Sequence, residues 1–318
     1  MKRTLCATIA GAALALAALP YGEAAARDKA KAERAFIEET RIAAPQRVGE
    51  FVLEGSLYEE AQKYAGAQFR YAHPDHPELR FDLFVYPAGD MPRDEAIERG
   101  MRDFRASFDA GVKLKYYDRL RIGDTTDFEI APTPQTDGSE PAAPESAAPE
   151  PAAPENDGGD PEVDAAIATA LAPKPLIGKR IDLRYRMSIE ETGDTVAMRS
   201  RGYLFYKQLY YFKGRITVAE SRMEPSAFDA LSDRAIRALV PAVVASNIGG
   251  CAETTITIGR DAAGKDGSIA DLLSQMLGQA VDKGDRNCHA SRADAQAAEP
   301  EDAEIVTIEY DANDWGSP

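Results

Sequence analysis

The stretch LRFDLFVYP, residues 79–87, decides the fold class, because large apolar side chains recur in it at every second position. On an extended chain, one face of this stretch carries Leu79, Phe81, Leu83 and Val85. The opposite face is also partly apolar, through Phe84 and Tyr86. We therefore predict a β-strand that other parts of the chain cover on both sides.

Strand patterns and two helical patterns surround this stretch. RVGEFVLEGSLYEE (47–60) and AQFRYA (67–72) have strand-like apolar positions. A first helix should begin near Pro92 and end at Gly111, and its apolar stripe consists of Ile97, Met101, Phe104 and Phe108. After residue 175 the strand patterns resume, and a second helix is predicted at 225–246, with Phe228, Leu231, Ala235, Leu239 and Val243 on one face. This order favours an α+β fold with a mainly antiparallel sheet flanked by the two helices.

The first 26 residues have the pattern of a bacterial secretory signal. Lys2 and Arg3 precede an uncharged stretch rich in Ala and Leu, and Ala24–Ala26 supplies small residues for cleavage. A retained membrane anchor is the alternative, although an Ala-rich stretch partitions weakly into lipid. We predict a periplasmic or secreted protein with no transmembrane segment after cleavage.

Residues 131–174 interrupt the alternation of strands and helices. EPAAPESAAPEPAAPENDGGDPE (140–162) repeats Pro, Ala and Glu and has almost no large apolar side chain. Such a segment cannot bury enough surface to offset the entropy lost on ordering. We therefore predict a disordered acidic Pro/Ala-rich insertion within an α+β domain that covers 45–250.

Most of the net charge is localised in two segments of the chain. The formal charge of −16 becomes −17 when Lys2, Arg3 and Glu23 leave with the signal. Residues 133–165 contain nine acidic side chains and residues 294–318 contain eight, with no basic residue in either segment. Because these acidic side chains account for the whole excess, the remaining body is near neutral. It has no basic surplus for nucleic acid or for an anionic lipid surface.

Cys251 and Cys288 are the two cysteines that survive signal removal. In an exported chain an even number of cysteines favours a disulfide, and neither residue belongs to a CxxC motif. A metal-binding pair and two free thiols are the alternatives. The remaining segments are an N-terminal helical arm (27–44), a C-terminal extension with the predicted disulfide (251–310) and an acidic tail (311–318).

The turn YAHPDHPELRF (71–81) contains four potential metal ligands: His73, Asp75, His76 and Glu78. Zinc requires three or four such side chains to converge. Pro74 and Pro77 push the histidines before them toward extended backbone, which splays their side chains apart. We interpret the segment as an ordinary turn without a cofactor. The alternative is a zinc site in an exported metal-dependent enzyme.

YLFYKQLYYF, residues 203–212, contains six aromatic rings in ten residues: Tyr203, Phe205, Tyr206, Tyr210, Tyr211 and Phe212. One interpretation is a central strand or hairpin that is packed on both faces. The other is an exposed aromatic strip that binds a peptide or a glycan through rigid rings with polar tips. The sequence leaves both interpretations open.

Two parts of the chain share a pattern of strands followed by a helix. The first is FRYAHPDHPELRFDLFVYPAG (69–89) with PRDEAIERGMRDF (92–104), and the second is YLFYKQLYYFKGRITVAES (203–221) with the helix after it. Over roughly 45–130 and 175–248, this pattern resembles the PsbP-like family of exported α/β/α proteins. The resemblance implies a non-catalytic accessory or assembly role.

The sequence contains no G-x-S-x-G, H-E-x-x-H or CxxC motif. With three histidines in all, general-base chemistry would have to rest on carboxylates. We therefore predict a non-catalytic periplasmic binding or accessory module for an envelope protein or for a peptide or glycan ligand. The alternatives are the metal-dependent enzyme and an envelope spacer that uses the acidic insertion to bridge layers.

Overall fold

Two sheets of mostly antiparallel strands form the framework of the protein. The computed structural model describes residues 35–132, 174–188, 194–253, 285–312 and 314–315. The strands of the eight-stranded sheet follow the order β2 (Arg47–Val48), β3 (Phe51–Tyr58), β4 (Ala67–Ala72), β5 (Arg80–Pro87), β9 (Tyr210–Ala219), β8 (Thr195–Lys207), β7 (Leu176–Ser188) and β6 (Asp118–Ile130). Those of the four-stranded sheet follow the order β11 (Cys288–His289), β10 (Val244–Ile248), β1 (Glu39–Pro45) and β12 (Ala303–Glu309).

Helices are few in the described parts of the chain. They are α1 (Arg93–Lys113), α2 (Pro225–Ala242) and α3 (Arg292–Ala297), with short 3₁₀ turns at Glu60–Ala65 and Gly250–Ala252. The fold is therefore mixed α and β with mostly antiparallel sheets. None of the described helices is long and apolar enough to cross a membrane. The predicted signal (1–26) and nearly all of the predicted insertion (131–174) lie outside the described residues.

Strand β5 joins the parts of the chain that precede and follow residues 133–173. It pairs with β4 on one side and with β9 along its whole length on the other. Strands β6 and β7 pair so that Ile130 lies directly opposite Leu176. The chain therefore leaves the larger sheet after Ile130 and returns to it at the same end at Leu176.

Both faces of the larger sheet are covered around its centre. Under α1 lies a smaller core, in which the predicted stripe of α1 packs on β7, β8 and β9 through Ile97, Met101, Phe104, Phe108, Ile181, Leu183, Leu204 and Tyr211. On the other face lies a larger core, which α2 and the four-stranded sheet complete. It includes the alternating side chains of β5 and of the turn before it: Leu79, Phe81, Leu83 and Val85. The predicted two-sided burial of β5 is complete on this face, whereas Phe84 and Tyr86 on the opposite face are half-buried.

A buried arginine ties α2 to the larger sheet. Arg201 on β8 is 4% exposed and donates two hydrogen bonds to Asp182 of β7, at 2.6 and 3.2 Å. The same guanidinium lies 3.0 Å from Asp229 and 3.2 Å from Asp233, which are both on α2. Burial alone would lower the pKa of Arg201, but the hydrogen bond to Asp182 and the other negative groups raise it. The guanidinium therefore stays charged and holds α2 in place.

The predicted N-terminal helical arm (27–44) is wrong where the structure describes it, because Glu39–Pro45 forms β1. This strand lies between β10 and β12, and Ile42 and Ala44 are fully buried in the larger core. Pairing on both sides and burial of these side chains override the local preference for helix. The predicted C-terminal extension (251–310) is also not separate, since β12 pairs with β1 along its whole length.

The second helix is shorter than predicted, and the disulfide is where the sequence places it. Helix α2 ends at Ala242, directly after Pro241, and Val244–Ile248 belongs to β10 instead of to the predicted helix 225–246. Proline is tolerated there because it can end a helix without breaking its interior. Cys251 and Cys288 lie at disulfide distance, with sulfur atoms 2.20 Å apart, and connect β11 to the turn after β10.

Gly202 allows α1 to approach the sheet closely, and it gives a test of this packing. A Cβ at Gly202 of β8 would lie 2.6 Å from Phe104 Cζ, whereas a Cβ at Gly55 of β3 would meet no atom within 4 Å. We expect Gly202→Ala to lower the free energy of unfolding by about 1–3 kcal/mol, because it forces α1 away from the sheet. Gly55→Ala should change it by no more than about 1 kcal/mol. Urea unfolding of both variants is the measurement, and equal effects would contradict the packing described here.

Candidate functional site

The four predicted metal ligands form a turn and do not converge. His73 is 4% exposed, and its Nδ1 accepts a hydrogen bond from the backbone N–H of Asp75 at 3.2 Å. The His76 ring lies beside that of His73, with 5.0 Å between ring centroids, and its Nδ1 is 3.3 Å from Glu78 Oε1. Backbone hydrogen bonds from His76 to His73 and from Leu79 to His76 close the turn. These side chains therefore serve the turn itself.

Glu50 connects this turn to α2. Its Oε2 lies 3.3 Å from His73 Nε2 at ion-pair distance, although Nε2 lacks a hydrogen bond of acceptable geometry. Its Oε1 accepts a hydrogen bond from Arg234 Nε at 2.5 Å. Burial would raise the pKa of Glu50, but Arg234 and then His73 outweigh it and lower the pKa. The Glu50 carboxylate is thus already paired with Arg234 of the same chain.

The proposed zinc site at His73, Asp75, His76 and Glu78 is not supported by this arrangement. Within the ranges that the structure describes, no group of three or more His, Cys, Asp or Glu side chains is placed to hold a metal ion. The physical reason differs from the one that the prolines suggest, since the two imidazole rings lie side by side. Instead, His73 is engaged by the backbone of Asp75 and by Glu50, and His76 lies beside Glu78.

The aromatic stretch 203–212 lies inside the protein. Alternation along β8 and β9 sends four rings to the larger core: Tyr203, Phe205, Tyr210 and Phe212. Tyr211 points to the smaller core, and the half-buried Tyr206 packs against it and donates a hydrogen bond to the carbonyl of Gly89 at 2.8 Å. The interpretation as an exposed strip for a peptide or glycan is therefore corrected to a central strand pair with both faces buried.

A pocket that the sequence did not indicate opens at one end of the four-stranded sheet. Its volume is about 360 Å³, and its lining consists of Glu38, Glu39, Glu60, Lys63, Ile248, Glu309, Tyr310 and Asp311. Five of these eight residues are acidic and one is basic. We refer to it as the acidic pocket.

Strand pairing explains why the carboxylates gather there. Glu39 on β1 lies directly opposite Ile248 of β10 and directly opposite Glu309 of β12. Side chains that are directly opposite share one face of a sheet, so two negative charges stand side by side. Such a like-charge pair opposes folding, and a positive ligand would relieve it.

Lys63 is the basic residue of the pocket, and its ammonium group is already paired with aspartates near the C-terminus. Its Nζ lies 2.5 Å from Asp314 and 3.7 Å from Asp311. It also lies 5.8 Å from the ring centroid of Tyr310. The hydrogen bond to Asp314 is the main reason why the pKa of Lys63 is raised. Lys63 is therefore not the residue that compensates Glu39 and Glu309, and within the described residues the cation that pairs most closely with Glu39 is Arg292.

Glu39 carries an oxygen without a hydrogen bond. The residue is 8% exposed, and its Oε2 accepts a hydrogen bond from Arg292 Nε at 3.0 Å. Its buried Oε1 has no hydrogen-bond partner among the described residues. Arg41 approaches Oε1 only to 3.9 Å, because its guanidinium is bound to Glu299 at 2.5 and 3.0 Å. A buried carboxylate oxygen without a donor is costly, so the site is incomplete as it stands.

No family model, curated protein or solved structure matches this chain. The candidate site is therefore assessed from its own geometry and charge.

The tail that holds Lys63 gives a pH-dependent test of this site. Asp314 accepts hydrogen bonds from Lys63 and from Tyr64, each at 2.5 Å. Burial would raise the pKa of Asp314, but these two donors lower it below 3.8. A lowered pKa in the folded state means that the carboxylate stabilises the fold above about pH 4 and that this contribution is lost as the pH falls further.

We expect Asp314→Asn to reduce the free energy of unfolding by about 1 kcal/mol at pH 7, with a smaller difference from the wild type at pH 3. The matched control is Asp311→Asn. The Asp311 side chain is 92% exposed, and its distance of 3.7 Å from Lys63 Nζ is too long for a hydrogen bond. The effect of Asp311→Asn should stay within about 0.5 kcal/mol. Urea unfolding at both pH values is the measurement, and a deficit of Asp314→Asn that grows in acid would contradict the assignment.

Proposed function

We propose that this protein is an exported, non-catalytic binding module whose acidic pocket holds a positively charged group of an envelope protein or peptide. The observation that carries the proposal is the pairing of Glu39 with Glu309 beside a buried carboxylate oxygen that has no hydrogen-bond donor. A cation would neutralise the first feature, and an N–H donor would satisfy the second.

The shape of the acidic pocket favours an organic cation. About 360 Å³ is at the lower end of the range for small-ligand pockets and exceeds what a bare ion needs. Ile248 supplies an apolar wall for a methylene chain, and the ring of Tyr310 supplies a surface for a cation. A lysine or arginine side chain combines an apolar stem with a charged, hydrogen-bonding end, which matches this lining.

Several features support export and an accessory role. The N-terminal sequence has the pattern of a secretory signal, and Cys251 and Cys288 lie at disulfide distance, as expected in an oxidising compartment. The resemblance to PsbP-like proteins implies an accessory function. The lining of the pocket offers charge, one tyrosine and an apolar wall and contains no histidine, a composition suited to binding.

Binding can be followed through Trp315, the single tryptophan of the chain, whose ring lies 5.5 Å from that of Tyr310. The mature chain should be titrated with Nα-acetyl-lysine amide, Nα-acetyl-arginine amide and spermidine. Nα-acetyl-norleucine amide is the uncharged control. We expect saturable fluorescence changes for the cations that weaken at high salt. Preference for the two amides over spermidine would indicate a peptide side chain, and the reverse preference a free amine.

Glu309→Gln is the diagnostic variant, because Glu309 is exposed and removing its charge does not create a cavity. We expect it to weaken binding by about 10-fold, as charge-assisted hydrogen bonds contribute on that scale. Glu54→Gln, an exposed acid-to-amide change on β3, is the matched control and should bind like the wild type. The proposal fails if no cation binds at low salt, or if the two variants bind equally well.

A further inference from the structure

Three arginines lie directly opposite one another on the larger sheet. Arg121 of β6 faces Arg184 of β7, and Arg184 in turn faces Arg199 of β8. Directly opposite residues share a face, so the three side chains form one row on the face that carries α2. Adjacent strands are about 4.8 Å apart, so the row extends over about 10 Å. We call it the arginine row.

The neighbouring pair of residues on the same face has opposite charges, which balance each other. Two positions further along β7 and β8, Asp182 lies opposite Arg201. That arginine contacts Asp182, Asp229 and Asp233. In the arginine row the position equivalent to the aspartate is occupied by Arg184, so repulsion replaces attraction. Like charges that face each other across strands destabilise a sheet, which makes this arrangement unfavourable without an anion.

The described residues provide little negative charge for the arginine row. Arg184 is 63% exposed, and its Nε lies 3.8 Å from Glu220 Oε1, which is too far for a hydrogen bond. Among the described residues Arg121 has no ion pair or hydrogen bond. The Nε of Arg199 is buried without a hydrogen-bond partner, and its guanidinium carbon lies 6.0 Å from the ring centroid of Phe228.

The contact with Phe228 brings the row next to the first turn of α2. This helix begins at Pro225, and no side chain caps it at Glu224. The partial positive charge of a helix N-terminus adds to that of the arginines. Of the acidic groups nearby, Glu220 makes no hydrogen bond to Arg184, and Asp182 and Asp229 are engaged by Arg201. Positive charge therefore exceeds negative charge at this place.

We propose that the arginine row binds a phosphate group. Three arginine side chains on adjacent strands about 4.8 Å apart can each donate to one compact tetrahedral oxyanion, whereas a carboxylate offers only two oxygens. A phosphate would supply the counter-charge that the row lacks and an acceptor for the buried Nε of Arg199. The phosphate group can belong to a dissolved molecule or to a lipid headgroup.

This site is separate from the acidic pocket. The row lies on β6, β7 and β8 at one edge of the larger sheet, whereas Glu60 and Lys63 of the pocket lie between β3 and β4 near the other edge. The two sites also select opposite charges, so the failure of one proposal leaves the other standing.

The test uses the mature chain with pyrophosphate, measured by calorimetry against sodium chloride of equal ionic strength. A second arm uses vesicles of phosphatidylglycerol, with pyrophosphate as competitor. Binding of pyrophosphate without binding of vesicles assigns a dissolved ligand. Binding of vesicles assigns a lipid headgroup, and its displacement by pyrophosphate shows that both occupy one site. Absence of binding in both arms overturns the proposal.

Arg184→Gln is the decisive variant, because the exposed side chain can be replaced without disturbing the core. We expect binding to weaken by about 10-fold or more, while the Tm of the unliganded chain stays equal or rises because repulsion in the row is relieved. Arg102→Gln, an exposed position on α1, is the matched control and should leave binding unchanged. Unchanged binding by Arg184→Gln, or a lower Tm of that variant, would overturn the assignment.

Discussion

Burial of both faces of β8 and β9 is the constraint on which the rest of the structure depends. Alternation along these strands directs Tyr203, Phe205, Tyr210 and Phe212 into the larger core and Leu204 and Tyr211 into the smaller one. Because neither face can be left to solvent, α1 must cover one side, and α2 with the four-stranded sheet must cover the other. Both candidate sites lie at the ends and edges of the two sheets.

Charge is arranged in two different ways on this framework. Where it holds elements together it is balanced, as in the contacts of Arg201 with Asp182, Asp229 and Asp233. At the acidic pocket and at the arginine row, equal charges lie directly opposite each other on adjacent strands. Such pairs oppose folding, and Arg292 offsets only part of the charge of Glu39 and Glu309. Ligands of opposite charge give both arrangements a physical reason.

Much of the fold could be predicted from local pattern. The period-two alternation in 79–87 and the apolar stripes of both helices match the buried side chains, because the chain repeats its apolar residues at the spacing of each element. Strand β1 could not be predicted in this way. The segment ERAFIEETR has good helix formers, and its pairing with β10 and β12 depends on residues that are more than 200 positions away.

The candidate sites were beyond sequence reasoning for a related reason. Glu39 and Glu309 are separated by almost the whole domain, and nothing in either segment shows that β1 and β12 pair. The only available signal was the acidic composition near the C-terminus, which indicated a solvated tail, whereas Trp315 is 7% exposed and Asp314 binds Lys63. For the arginine row, the alternation of charges in β7 was visible, but its register with β6 and β8 was not. Even a near-neutral body can concentrate one sign of charge once the strands are paired.

The central claim is that the parts of the chain before residue 133 and after residue 173 fold as one cooperative unit around β8 and β9. The most direct measurement is urea unfolding of the mature chain, followed both by the fluorescence of Trp315 and by far-UV circular dichroism. Trp315 packs on Tyr210 of β9 and on Tyr310 after β12, so it reports on the contact between the two sheets. The account predicts one transition with coincident midpoints for both probes. Two separate transitions, with the tryptophan signal lost before the sheet signal, would contradict it.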